Sequence, residues 1–521
     1  MPTLELFYTI GSLAPLALMA GLASFLRFFG NPGHAAWSRF RLFSYCALFF
    51  AALSALHGPG SLHLQPLLNA TSFGQMLSVL VQLLGTVIGG FSSRYLAGEA
   101  RQERYAGALA AVLAGVHLLL MADHWVPLIA AWAWIGYPLQ TLLCFYAERP
   151  FALLAGHKKQ IADRAADVLL LAAAALAWPA VGSGSISALL RLAGEGAMPG
   201  ALQWSALLLV VAVVLRTAAM PVHGWLIQVM EAPTPVSALL HAGVVNLGGY
   251  VLIRFAPIVE HAAAARALLF VFGIGTSVLG GMVTLTRVSI KVRLAWSTVA
   301  QMGFMLLECS LGLYTLAALH LLGHSLYKAN AFLSASAIVR QTRREDLRGA
   351  SQPGMPSLAL APALSSCAVF AAGSLFGGAP WPVWWSLLLG VAWAPLFWFR
   401  PSAAGLPVLC LQLLFGALAA LALTAAALVA HRLPLGIADA PHPLLGCIAL
   451  ACMAALYLCL VLLQTRPEIL KEWRRWSYAG FYVDETFTRL ALRWWPSGWA
   501  AQTETGQGRQ AETRLRAPLP T

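Results

Sequence analysis

The stretch from Leu215 to Arg254 reads LRTAAMPVHGWLIQVMEAPTPVSALLHAGVVNLGGYVLIR, and it joins two apolar segments. Arg216 lies in the apolar segment that comes first. Pro221 predicts a break in that helix, because proline lacks an N–H donor and clashes with the preceding turn. Pro233 and Pro235 predict a second break, after which a new apolar helix begins.

Three ionisable residues of this stretch, Arg216, Glu231 and His241, lie within or between segments that are apolar enough for a membrane. Ionisable residues inside a membrane are costly, so they usually face a polar pathway or a partner. Broken helices are tolerated there only where they are buried in protein or line a watery cavity. Together these features predict an ion path, although Arg216 taken alone also fits a side chain that snorkels to the interface.

The composition is that of a polytopic membrane protein, since 59% of the 521 residues are hydrophobic, 10% are charged and the mean hydropathy is +0.73. We therefore expect an all-α bundle of about 15 spans of roughly 20 residues each. The predicted spans are 5–29, 41–57, 75–97, 105–122, 125–146, 163–182, 203–232 (broken), 235–256, 266–286, 293–312, 314–340, 357–376, 380–398, 405–431 and 443–464, with a weaker amphipathic candidate at 479–496.

The net charge of +13 resides mainly in alternate connections between the spans, which argues against a nucleic-acid-binding face. The connections that follow odd-numbered spans carry most of the Lys and Arg, which indicates that they are cytoplasmic and that the N-terminus lies outside. Their basic residues are Arg39, Arg41, Arg101, Arg104, Arg149, Lys158, Lys159, Arg164, Arg287, Lys291, Arg340, Arg343, Arg344, Arg348, Arg400, Arg466, Lys471, Arg474 and Arg475. Arg191, Arg254 and Arg432 are exceptions in the other connections.

The eleventh span contains His320, His324 and Lys328, spaced four residues apart and therefore along one face of a helix, which we call the relay face. Histidine titrates near neutral pH, so this face suits proton transfer. Two histidines at this spacing also fit a metal site, but no third ligand is evident in the sequence. The eight scattered cysteines form no CxxC motif, so we expect no metal or iron–sulfur site in the chain.

The segment PVHGWLIQVMEAPTPVSALLHAGVVNLGGYVLIRF resembles a signature of the proton-antiporter-like membrane subunits. This family includes the L-type subunit of respiratory complex I, Mrp cation antiporters, membrane hydrogenase subunits and the DabB type of inorganic-carbon uptake subunit. SIKVRLAWSTVAQMGF and FYVDETF are similar to further segments of the family, and Lys291 matches a family lysine. The resemblance implies an inverted repeat of five helices with a proton path through it.

Three departures from the family pattern bear on mechanism. Ala133 stands after Trp132 where the family usually has a glutamate, and Arg216 stands where it has the partner lysine. There is also no lysine between Lys328 and Lys471, so the late channel lysine is missing. Arginine stays protonated at any accessible pH, so Arg216 is expected to be a fixed charge or an anchor for a carboxylate such as Glu231.

Arg164 and Asp167 match the opening of the family's sixth helix and form a possible ion pair, which fits an interfacial position as well as a functional one. Glu308, near the far end of the tenth span, is interpreted as interfacial. The resemblance divides the chain into N-terminal helices (1–104), a first repeat (105–256), a second, degenerate repeat (266–398), C-terminal helices (399–496) and a disordered polar tail (497–521).

The resemblance favours the DabB type, a non-enzymatic proton- or cation-conducting subunit of the bacterial inner membrane. It implies a large cytoplasmic, carbonic-anhydrase-like partner of the DabA type that carries the zinc, with membrane lipid around this chain and no cofactor in it. Residues 147–164 and 340–356 are the expected docking surfaces. Three alternatives remain open: a proton-pumping subunit of complex I or a hydrogenase, an Mrp-type antiporter subunit, and an assembly scaffold without transport.

Overall fold

The computed structural model describes residues 2–29, 33–57, 67–196, 198–335, 353–399, 405–466 and 468–496. These residues form helices and no strand, apart from two isolated bridges. The first half contains α1 (Pro2–Phe28), α2 (Gly33–His57), α3 (Ser72–Tyr95), α4 (Gln102–Met121), α5 (Trp125–Leu143), α6 (Pro150–Val181), α7 (Ile186–Gly194), α8 (Gly200–Arg216), α9 (Gly224–Gln228), α10 (Thr234–Ala242) and α11 (Leu247–Arg254). The second contains α12 (Ala256–His261), α13 (Ala263–Leu285), α14 (Ile290–Ser310), α15 (Tyr314–Leu333), α16 (Met355–Leu375), α17 (Val383–Trp393), α18 (Leu406–His431), α19 (Pro443–Thr465), α20 (Lys471–Tyr478) and α21 (Val483–Trp494).

The helices confirm an all-α membrane bundle. In the described residues, eleven helical segments are long and apolar enough to cross a membrane. Each of the fifteen predicted segments overlaps a helix, but α8, α14, α15 and α17 fall short of those criteria. They are either shorter or carry more polar residues, so the count of fifteen stays a prediction.

The predicted breaks lie where the prolines place them. Between α8 and α9 the backbone turns through Ala218, which has a φ of +52°, and Pro221. A short 3-10 turn, Val229–Glu231, and Pro233 separate α9 from α10. Every residue of α10 is buried, so this broken element lies inside the protein as the physics of lipid exposure requires.

Helix α6 begins thirteen residues before the predicted sixth span. The predicted start at residue 163 is wrong, because the charged residues Lys158 and Lys159 were assigned to the preceding loop although they belong to the helix. Both lysines are buried in the first half of the helix, where they are paired with Asp484 and Asp163. The sequence predicts residues 147–164 as a docking surface, but Lys158 and Lys159 are buried and cannot belong to it.

Small residues allow α13 and α14 to pack closely. A Cβ added at Gly303 would lie 2.5 Å from the backbone N of Ser277, and one at Gly273 would lie 2.6 Å from that of Leu307. Such close backbone approach is how membrane helices associate without a hydrophobic driving force between them. The pair presents the α14 side chains to α15, where the candidate site lies.

Several sequence-based expectations lie outside the described residues. These are the basic residues Arg340, Arg343, Arg344, Arg348 and Arg400, most of the docking segment 340–356, and the polar tail 497–521.

Candidate ion path

Arg216 ends α8 and is buried against α5 and α6. Its Nη1 donates to the carbonyl of Trp132 at 2.9 Å, and its guanidinium carbon lies 4.8 Å from the centre of that indole ring. Its Nη2 donates to the carboxylate of Asp167 and, at 3.4 Å, to the carbonyl of Asp163. Only 4% of the Arg216 side chain is exposed. We call Arg216, Asp167 and Arg164 the gate cluster.

The gate cluster keeps a permanent charge inside the bundle. Arg164 donates to the second oxygen of Asp167 at 3.1 Å, but 60% of its own side chain is exposed. Asp167 therefore lies between a buried and an exposed guanidinium. The carboxylate that anchors Arg216 is Asp167 rather than Glu231. Because arginine does not release its proton, this pair can set an electrostatic barrier but cannot carry a proton.

A cavity of about 330 Å³ lies beside the gate cluster. It is lined by Ala133, Tyr137, Gln140, Asp163 and Arg164, among others. The small side chain of Ala133 leaves room for this cavity between α5 and α6.

A second group of charges joins α6 to the C-terminal helix α21. Lys158 donates to the carboxylate of Asp484 and to Thr488 Oγ1 at 2.7 Å, and its side chain is fully buried. Gln228, at the end of α9, donates to the other oxygen of Asp484 at 3.1 Å. Asp484 belongs to the FYVDETF segment, so this segment holds the broken helix against α6.

Glu231 and Lys291 lie near the second break. The Glu231 carbonyl accepts from Arg149 Nη1 at 2.6 Å, and its carboxylate makes no hydrogen bond or ion pair in the part of the chain that the structure describes. Lys291, in the first turn of α14, donates to Thr234 Oγ1 at 2.8 Å. This contact ties the start of α10 to the start of α14.

His241 and Lys328 lie deep in the bundle, within electrostatic range of each other. The His241 ring stacks on Phe332, with the ring centres 4.4 Å apart. Lys328 is buried and donates to Ser297 Oγ and, at 3.1 Å, to the Leu294 carbonyl. This ammonium group is held by two neutral oxygens, and no carboxylate of the described residues pairs with it. Such a lysine is able to take up and release a proton when its surroundings change.

The relay face continues from Lys328 towards the start of α15. His324 is 6% exposed, and its charge would interact with Lys328, His241 and His320. The rings of His320 and His324 lie edge to face, with centres 5.9 Å apart. His320 Nδ1 lies 2.7 Å from Glu308 Oε2. The structure thus brings four titratable groups of α14 and α15 into one row.

His241 and His324 are buried, yet neither nitrogen of either ring has a hydrogen-bond partner among the described residues. Buried polar groups nearly always have partners, so each exception calls for an explanation. Imidazoles that exchange protons with water or with a moving neighbour would explain both. In the described residues, no group of three or more His, Cys, Asp or Glu side chains is arranged to hold a metal ion.

Several residues of the site escaped the sequence analysis. Glu308 was expected at the interface, but it is 3% exposed and faces His320. The clue was the three-residue turn between α14 and α15, which requires the two helix ends to lie side by side. Asp484 lay in a recognised segment, but only the fold shows that it reaches Lys158.

Comparison with known proteins places the chain among ion-translocating membrane subunits. The family model for "NADH:quinone oxidoreductase/Mrp antiporter, TM" matches residues 122–382. The chain is 37% identical over 427 residues to a Hydrogenovibrio crunogenus protein named "Probable inorganic carbon transporter subunit DabB", covering 80% of this chain and 81% of that protein. It is 32% identical over 275 residues to a Mycobacterium tuberculosis protein named "NADH-quinone oxidoreductase subunit L", covering 52% and 43% respectively.

The fold is also similar to that of a solved structure, described as an Mrp complex from Dietzia sp. DQ12-45-1b. The TM-score is 0.58 at 21% sequence identity, and the match covers 98% of this chain and 63% of the other. The similarity establishes an antiporter-like fold.

Proposed function

This chain belongs to the NADH:quinone oxidoreductase/Mrp antiporter transmembrane family, and from that premise we propose that it is the proton-conducting subunit of an inorganic-carbon transporter. It is a multi-pass membrane protein of the ion-translocating, antiporter-like kind. Because its relatives are transporter-type subunits, we infer that it is not itself an enzyme. We infer that proton movement through the chain drives the accumulation of bicarbonate, with sodium as the alternative ion.

The proposed proton path rests on one observation. Within an apolar bundle, titratable side chains run from Lys328 through His324 and the partly buried His320 to Glu308. Ionisable residues are rare inside membranes because each is costly there. Four of them in one row along two neighbouring helices are best explained by a path on which protons move.

In the proposed path, the gate cluster and the relay face have different roles. Arg216 keeps its proton, so it acts as a fixed barrier charge, while the relay face carries protons. His241 lies within electrostatic range of Lys328 on the relay face, and Lys291 ties the start of α10 to α14. A change in the position of α10 would alter the distance between His241 and Lys328. Packed elements that switch between two discrete arrangements let a partner influence a distant site, and we propose that the broken helix acts in this way.

Inorganic-carbon transport is favoured over redox-driven proton pumping because the DabB-type relative matches more of this chain than the subunit L relative does. The DabB-type relative matches 80% of this chain, whereas the subunit L relative matches 52%. Ala133 and Arg216, in place of the family glutamate and lysine, also argue against the same pumping mechanism. The complex I and Mrp assignments remain the alternatives.

We further infer a large cytoplasmic partner of the DabA type that holds zinc and hydrates CO2. The basic connections favour a cytoplasmic location for their end of the bundle, with the N-terminus outside and the chain in the bacterial inner membrane. We call this the basic end. The exposed residues Arg149 and Arg164 are available for docking there, and the segment 340–356, most of which lies outside the described residues, stays the second expected docking surface.

The test uses bacteria that lack carbonic anhydrase and do not grow in air. Co-expression of this chain with its partner should restore growth, while neither protein alone should do so. The partner with a His324→Ala chain is the matched control, since it keeps the complex and removes one relay group. Rescue by the partner alone would reject the proposal. Purification with NADH-oxidising or hydrogenase subunits would instead support the redox-pump alternative.

A further inference from the structure

The buried Glu308 and the partly buried His320 form a pair where α14 and α15 meet, at the end of the bundle opposite the basic end. His320 Nδ1 lies 2.7 Å from Glu308 Oε2, and 4% of the Glu308 side chain is exposed. The turn 311–313 is all that separates the two helices. The pair therefore lies about two turns or less from the surface at that end.

The connection between α18 and α19 lies against the α14–α15 turn next to this pair. Its residue Asp439 accepts the backbone N–H of Thr315 at 2.7 Å, and its other oxygen is 3.9 Å from His431 Nε2. The backbone of Ala440 donates to Gly312 O at 2.9 Å, so the connection is fastened to the α14–α15 turn. Burial raises the pKa of the Asp439 carboxyl, and the hydrogen bond from Thr315 opposes that rise.

The two carboxylates share an environment. Cys309 is close enough to both Glu308 and Asp439 to interact with their charges. The other titratable groups that face this region are on α12, α13, α15 and α18. They are Glu260, Arg266, Tyr314, His320 and His431.

No comparable series of titratable groups exists on the next two helices. The sequence of α16, Met355–Leu375, contains no Asp, Glu, Lys, Arg or His, and neither does that of α17, Val383–Trp393. The missing late lysine is therefore not replaced on these helices. Next to the His320 end of the relay face lies Glu308 of α14, and Asp439 lies in the nearby connection between α18 and α19.

We propose that Glu308 is the external proton acceptor of the path, and that Asp439 and His431 form the mouth through which protons reach it. This inference rests on the proposed proton conduction and its orientation. A proton from outside binds the Glu308 carboxylate and passes to Nδ1 of a neutral His320. The step leaves a carboxylate and an imidazolium. The imidazolium then yields its proton towards His324, whose ring centre is 5.9 Å away.

The test is proton uptake into proteoliposomes that contain this chain with its partner, driven by an imposed membrane potential and followed with an internal pH-sensitive dye. Glu308→Gln removes the titratable group while keeping the size of the side chain, and uptake should fall about 10²-fold or more, as expected for the loss of a positioned proton-transfer group. Glu308→Asp should retain measurable uptake. Asp439→Asn should slow uptake most at high external pH, where protons are scarce and the mouth limits their capture.

Glu195→Gln is the matched control. It removes an exposed acid that follows α7 and is not among the groups that face Glu308, so uptake should stay at the wild-type rate. All rates are divided by the amount of assembled complex, which separates conduction from folding. Wild-type uptake by Glu308→Gln would overturn the external acceptor alone. A wild-type complex that conducts no protons would overturn the proposed function together with it.

Discussion

The guanidinium of Arg216 is paired with the carboxylate of Asp167, although 49 residues separate them in the chain. Both side chains are buried, and the carbonyl and ring of Trp132 also contact the guanidinium. The pair joins α8 to α6 at the position where the broken helix begins. Its charge is fixed because an arginine stays protonated.

The first prediction concerns this fixed charge. Arg216→Lys should lower coupled activity, because an ammonium group cannot bond the Asp167 carboxylate and the Trp132 carbonyl in the same forked geometry. Arg216→Ala should be worse, since removing one member of a buried pair costs about 3–5 kcal/mol. Activity and the yield of assembled complex are measured together. Arg191→Ala, which removes an exposed arginine elsewhere, should leave both unchanged. If Arg216→Lys and Arg216→Ala both leave activity unchanged, Arg216 only extends its charge towards the interface and has no role in the path.

The Arg216 pair also shows what the sequence could and could not predict. The prolines predicted the helix breaks, and the four-residue spacing predicted the relay face, because both signals are local. The partners of Arg216 and Lys158 could not be predicted in the same way. Asp484 is 326 residues from Lys158, so the contact depends on how distant helices pack. Hydropathy treats a buried, paired lysine as a loop residue, which is why the start of α6 was misplaced.

The second prediction concerns the relay face. His324→Ala should abolish coupled activity while the complex still assembles, because it removes the imidazole between Lys328 and His320. Growth rescue and size-exclusion chromatography give the two readings. His261→Ala is the control, since this exposed histidine lies outside the relay face. Full activity of His324→Ala at normal expression would remove His324 from the path.

The third prediction concerns the attachment of the C-terminal helix. Asp484→Asn should lower the melting temperature of the purified complex by several degrees, because it leaves the ammonium of the buried Lys158 without its counterion. The cost should lie at the lower end of about 3–5 kcal/mol, since Asp484 is partly exposed. Glu485→Gln removes a neighbouring exposed acid and should have little effect. Equal melting temperatures for the two variants would show that the Lys158–Asp484 pair does not stabilise the fold.

The fourth prediction concerns the contact between α13 and α14. Gly303→Ala places a methyl group 2.5 Å from the backbone N of Ser277, so the helices must separate. Overpacking of this kind costs about 1–3 kcal/mol, and the yield of folded protein should fall. Gly275→Ala, on a site with nothing within 4 Å of the added atom, should be tolerated. A normal yield of Gly303→Ala would contradict the described packing of the two helices.

The central claim is that protons moving through this chain drive carbon accumulation. It is tested most directly by measuring proton uptake and labelled inorganic carbon together, in membrane vesicles that contain the chain and its partner. We expect both to rise in proportion in the wild type and to be lost together in His324→Ala. An uncoupler should abolish accumulation in the wild type. Carbon accumulation that continues at the full rate after the proton gradient has been collapsed would contradict the account.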